Sequence, residues 1–136
     1  MKKCWAISLL ELLIVIFIIG VLAAVAVPTY RSYILRSNRS DAIHTLLNIQ
    51  LAEEKYRMDN ATYGNLSEVW GGVGSTPGGH YALTITSITA TSYTITATAV
   101  GTQANDSSGG VSCDALVLSY ANGATTKTPA VCWSEG

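Results

Sequence analysis

The chain has 136 residues with 8 basic and 9 acidic side chains, so charged residues make up 12% against about 25% in a typical soluble domain. Apolar residues reach 49%, which excludes a disordered chain, since those are charged and poor in apolar residues. The length excludes a large multidomain enzyme, and a net charge of -1 excludes a strongly basic nucleic-acid-coating surface.

The apolar excess is concentrated at one end. After MKKCWA comes the run Ile7–Val27, with 18 apolar residues in 21 positions, followed by Pro28. As a helix this run is about 31 Å long, which matches a hydrocarbon core of about 30 Å. A cleaved secretory signal is the alternative, with Lys2 and Lys3 as its basic region. The run exceeds the usual apolar region of about 7–15 residues. It also ends in PTYRSY, with Tyr30, Arg31 and Tyr33 as interface anchors, rather than at a small-residue cleavage site. Arg31, Arg36 and Arg39 outnumber Lys2 and Lys3, and on charge alone that would put the C-terminal side in the cytoplasm.

Glu11 interrupts the run, with Leu on both sides. A carboxylate in lipid is costly unless it is hydrated at the edge or paired, so it marks either the membrane boundary or a functional position.

The stretch ISLLELLIVIFIIGVLAAVAVPTYRSY resembles the N-terminus of type IV pilins. That family has a short basic leader, a small residue, then Glu at the fifth mature position, followed by a Gly and a Pro at set distances. Glu11, Gly20 and Pro28 fall in that register if the cut lies between Ala6 and Ile7. Ala6 stands where the family usually has Gly, Ile7 where it has Phe, and Phe17 where it has a small residue. The resemblance implies cleavage after Ala6 by a prepilin peptidase and N-methylation of Ile7. It also implies pairing of Glu11 with the terminal amine of a neighbouring subunit. A buried carboxylate needs such a cation or must be neutralised. Gly20 is expected either to kink the helix or to pack against a neighbour, and Pro28 to bend or locally open it.

Three cysteines are an odd number. Cys4 would leave with the leader, and Cys113 and Cys132 would remain, 19 positions apart. They are expected to form a disulfide closing a C-terminal loop, which needs an oxidising compartment and so sets the C-terminal side outside the cytoplasm. Two thiols and the distant His44 and His80 have no metal-ligand spacing.

From Tyr30 to about Met58 the pattern stays helical, with Ile34, Ala42, Ile43, Leu46, Leu47, Gln50, Leu51 and Glu54 at steps of three and four. That side would cover a sheet, leaving Arg36, Arg39, Asp41, Glu53 and Lys55 in water. The stretch RSNRSDA either continues the helix or interrupts it briefly. Residues 61–80 read as a loop. Five glycines lie between Gly71 and Gly79, without the Gly-Lys-Ser/Thr of a phosphate loop.

Period-two alternation then predicts strands at Tyr81–Thr86 and Tyr93–Ala99. VSCDALVLSY reads as a third strand, and Asn122-Gly123 as a hairpin turn into a fourth segment ending at Cys132-Trp133. RSNRSDAIHTLLNIQLAEEKYRMDNATYG and YTITATA further resemble minor pilins of the PilE type from type IVa systems.

Catalysis is not indicated. His44 and His80 sit in no nucleophile or metal motif, and the adjacent Glu53 and Glu54 face different sides of a helix. No cofactor or metal is expected. The cations Arg31, Arg36, Arg39, Lys55, Arg57 and Lys127 form no basic stripe with aromatics, which leaves DNA a weak candidate partner.

The expected fold is α+β, a long N-terminal helix packed on an antiparallel sheet of three to four strands. The expected segments are a leader 1–6, a membrane and filament-core helix 7–27, an amphipathic half-helix 28–60, a loop 61–80 and a sheet 81–136 with the disulfide loop. The resemblance implies a minor subunit of a type IVa pilus. Its site would begin in the inner membrane and end in an extracellular filament serving adhesion or twitching motility. Its partners would be other pilin subunits, the prepilin peptidase, the assembly machinery and inner-membrane lipid. The alternatives are a DNA-uptake pilin and a pseudopilin of type II secretion.

Overall fold

A computed structural model describes residues 7–134; the expected leader 1–6, with Lys2, Lys3, Cys4 and Ala6, lies outside the described residues. Two compact units divide between Ile34 and Leu35. Helix α1 (Leu9–Asp59) contributes residues to both. RSNRSDA is helical throughout.

In the first unit α1 is the one helix among the described residues long and apolar enough to cross a membrane. Among the described residues, its apolar side chains from Leu9 to Val27 are exposed.

In the second unit the helix has a dry stripe. Arg39, Ala42, Leu46, Ile49 and Glu53 are buried, at steps of three and four, the spacing that puts side chains on one helix face. The expectation that Arg39 and Glu53 face water is corrected: both are 0% exposed. Leu51, expected on the apolar side, is 70% exposed. The stripe is one helical face, and Leu51 falls outside its 39–42–46–49–53 spacing.

The sheet supplies the other half of the core. Strands β1 (Tyr81–Thr86), β2 (Ser92–Ala99), β5 (Ala115–Ala121) and β6 (Ala124–Thr128) form a fully antiparallel sheet in the order β1-β2-β5-β6. Tyr81, Leu83, Tyr93, Ile95, Ala97, Leu116 and Leu118 alternate inward and are buried. Burying one such side chain stabilises by about 1.5–3 kcal/mol. The opposite face is hydroxylated. Thr84, Thr96, Val117 and Thr128 align in one cross-strand row, and Thr86, Thr94, Ser119 and Thr126 in the next. This is why a charge-poor domain can still have a wet face.

The Asn122-Gly123 expectation holds in detail. Both residues have positive φ, 49° and 88°, and Ala121 pairs with Ala124 across them, as a two-residue hairpin requires. The free edge of β1 is covered by the preceding loop. Leu83 donates to the Gly74 carbonyl at 2.9 Å and Thr76 to the Tyr81 carbonyl at 3.0 Å, which removes an edge open to further pairing.

Two elements differ from expectation. The loop 61–80 contains a helix, α2 (Leu66–Trp70). VSCDALVLSY is not one strand. Val111–Ser112 (β4) pairs with Ser107–Ser108 (β3) in a separate small ribbon, and β5 starts only at Ala115. The break falls where Cys113 donates to the Asp106 carbonyl at 2.9 Å and Ala99 donates to the Asp114 carbonyl. A 3-10 turn, Gly101–Asn105, precedes β3, and a short helix α3 (Ala130–Ser134) follows β6.

Candidate functional site

The apolar helix carries the expected assembly positions. Ile7 is exposed, and Glu11 lies exposed in the first turn of α1, where the helix dipole favours a negative charge. Among the described residues, a side chain at Gly20 would meet no atom within 4 Å. Pro28 lies inside α1. Its ring nitrogen cannot donate, so the carbonyl four residues earlier loses its ladder bond. One residue on, the Thr29 hydroxyl donates to the Val25 carbonyl at 3.1 Å. These positions are strung along one helix and do not converge on a pocket.

The cysteines do converge. Cys113 and Cys132 form a disulfide, both fully buried. Its surroundings were not legible from motif reading. Arg39 Nη1 donates to Cys113 Sγ at 2.8 Å, and Arg39 Nε lies 3.5 Å from Asp106 Oδ2. Burial pushes the Asp106 carboxyl up, and Arg39 pulls it back down. Beside them Gln103 Nε2 donates to the Leu35 carbonyl at 2.9 Å and the Tyr81 hydroxyl at 3.0 Å, and Asn38 donates to Gln103 Oε1. This buried polar cluster ties α1 to the 3-10 turn and the disulfide loop. The available signal was spacing: Arg39 sits three residues before Ala42 and seven before Leu46, on the buried stripe.

The loop after α1 is held by a second buried carboxylate. Glu53 Oε2 accepts the Gly64 N–H at 2.8 Å. Burial, with Glu54 and Glu68 nearby, pushes Glu53 up to about 7 against the Gly64 bond. Gly64 is required by space: a Cβ there would meet Val69 Cγ1 at 2.6 Å and Tyr56 Cδ1 at 3.1 Å. Asn65 then caps α2 in a reciprocal box with Glu68. Tyr63, Tyr93 and Tyr120 pack beside this loop with centroids 4.6 to 5.5 Å apart. Burial raises the Tyr63 and Tyr93 hydroxyls.

The cations are dispersed. Arg57 donates to the Ala90 and Asn60 carbonyls, and Lys127 lies 5.2 Å over the Trp133 ring. Arg39 is in the core. His44 and His80 are exposed, on α1 and before β1. Among the described residues no three His, Cys, Asp or Glu side chains are placed to hold a metal.

An exposed apolar helix and a disulfide-stapled α+β unit define a class of membrane-anchored or filament-forming protein. Residues 28–117 match the family described as type IV minor pilin ComP, DNA uptake sequence receptor. The chain is 41% identical over 78 residues to the type IV major fimbrial protein FimA of Dichelobacter nodosus, covering 56% of this chain and 48% of that protein. It is 36% identical over 92 residues to the fimbrial protein EcpC of Eikenella corrodens, covering 67% and 60%. A probable minor fimbrial protein of Dichelobacter nodosus is 37% identical over 62 residues. The chain spans about half the length of the curated relatives it matches. It belongs to the type IV pilin family.

Proposed function

We propose that this chain is a minor structural subunit of a type IVa pilus, with the helix Ile7–Val27 as its assembly surface. The observation that carries this reading is the row of exposed apolar side chains from Leu9 to Val27, interrupted by the carboxylate of Glu11. Such a surface is stable in lipid before assembly. It leaves lipid only if neighbouring subunits rebury it. A contact repeated without closure builds a filament.

Each site residue has a part in that transfer. Cleavage between Ala6 and Ile7 creates an amine, which a peptidase methylates at Ile7. Glu11 meets the amine of a neighbouring subunit, and the pair sets the stagger of the helices. Gly20 leaves room for a neighbouring helix to approach. Pro28 is a weak point in the backbone ladder where the helix can bend as it leaves the membrane. The disulfide closes in the periplasm, and the filament is extracellular, serving adhesion or twitching motility.

Mass spectrometry of sheared surface filaments tests this reading. The expected chain begins with methylated Ile7; finding this protein only with Met1 and only in the membrane fraction overturns it.

Capture of DNA during uptake is the second reading, favoured by the description of the matched family. In the second unit the exposed cations Arg36, Lys55 and Lys127 share the surface with the exposed acidic residues Asp59, Glu68 and Asp114, so phosphate contacts would be few. Binding of duplex DNA that weakens steeply with salt would favour this reading; no binding at low salt would remove it.

A further inference from the structure

The two sulfurs of the disulfide sit in different electrostatic environments. Cys113 Sγ accepts the Arg39 guanidinium hydrogen bond at 2.8 Å. A carbonyl oxygen lies near each sulfur, Val111 O at 3.8 Å from Cys113 Sγ and Ser112 O at 3.6 Å from Cys132 Sγ. The guanidinium brings a full positive charge to Cys113. Asp106 lies 3.5 Å from Arg39 and is itself within reach of the Arg36 charge.

The sulfurs also differ in how they are held. Cys113 is pinned between its N–H bond to the Asp106 carbonyl and Arg39. Cys132 lies on α3, a helix of five residues whose end residues, Ala130 and Ser134, are exposed. A helix that short has little stability of its own, and such elements open locally ahead of a packed core.

We propose that Arg39 gives this disulfide a polarity: thiol–disulfide exchange enters and leaves through Cys132, with Cys113 as the departing and resolving thiolate. In reduction, an external thiolate attacks Cys132 Sγ, a new sulfur–sulfur bond forms there, and the electron pair of the old bond leaves on Cys113. Arg39 stabilises that anion, as a neighbouring cation does for any thiolate. A lower-pKa thiol is the better leaving group. Closure is the reverse: the Cys113 thiolate attacks a mixed disulfide at Cys132 and expels the external thiol. Arg39 is thus a positioning and charge-stabilising residue for closing the staple, and α3 is the part an oxidising disulfide catalyst would engage. This does not depend on the pilus reading.

The full-length chain in detergent is treated with reduced glutathione, at concentrations that open the bond, and a fast alkylating agent, then digested and mapped by mass spectrometry. Peptide mapping separates Cys4 from the other two cysteines. Glutathione is expected on Cys132 and the alkyl group on Cys113, in about threefold excess over the reverse, the order expected when exchange rates follow thiol acidity with a slope of about 0.5. Arg39→Met should bring the ratio towards one, and Arg39→Lys, which keeps a cation, should retain a bias to Cys132. An even partition in the native chain, or an excess of glutathione on Cys113, overturns the proposal, as does an unchanged ratio in a folded Arg39→Met chain. The native partition and Arg39→Lys decide the matter if Arg39→Met does not fold.

Discussion

Helix α1 serves two environments under opposite rules. Its residues from Leu9 to Val27 are almost all apolar and exposed; those from Arg39 to Glu53 mix apolar with charged side chains, and a stripe of both is fully buried. Among the described residues the first stretch is exposed, so its hydrophobicity is unused in the fold of its own unit. The second has a sheet to pack against, and its core is complete enough to enclose a guanidinium and a carboxylate. Apolar content alone therefore says where a helix can go, whereas spacing says what it packs on.

The contrast can be broken by exchanging the kind of residue removed. Leu46→Ala deletes a fully buried side chain and should cost about 2–5 kcal/mol, read as a lower melting temperature of the full chain in detergent. Phe17→Ala removes a larger side chain that is 72% exposed; the same melting curve should not move. Equal effects would mean that the first stretch has an internal partner.

The buried carboxylate sharpens the contrast through pH. Glu53 is raised from 4.5 to about 7 by burial, so the folded state holds its proton more tightly than the unfolded chain does. Its contribution to stability is therefore fully present below about pH 4.5 and is lost as pH rises to about 7. Glu53→Gln should flatten that part of the stability profile measured by urea unfolding; an unchanged slope would assign it to other groups. The smallest effect expected is at the loop. Asn65→Ala removes the α2 cap and should cost about 1 kcal/mol, seen as a small shift of the same urea midpoint.

Much of this architecture was legible from patterning. The alternation of Tyr81–Thr86 and Tyr93–Ala99 marked β1 and β2, and Asn122-Gly123 marked the turn into β6, because period and turn chemistry are local properties. The burial of Arg39 and Glu53 is not, because a charged side chain ordinarily marks a wet helix face and local spacing does not reveal its partners. A charged residue is rarely buried without partners, and the partners here, Cys113 with Asp106 and the Gly64 N–H, are distant in sequence or lie in the backbone. Helix α2 was missed because five residues show no periodicity. Its trace was the spacing of Asn65 and Glu68, which is that of a capping box. Glu11, Gly20 and Pro28 were found from their register in a family pattern, and nothing in their intramolecular contacts would have selected them.

The most direct test of the outward-facing helix is Glu11→Ala, scored as the fraction of this protein recovered in sheared filaments alongside the melting temperature of the purified chain. If Glu11 pairs with a neighbour's amine, incorporation should fall at least about tenfold, as expected when a buried cation loses its only partner, with no change in melting temperature. Normal incorporation of the folded variant would contradict an assembly role for the helix carboxylate.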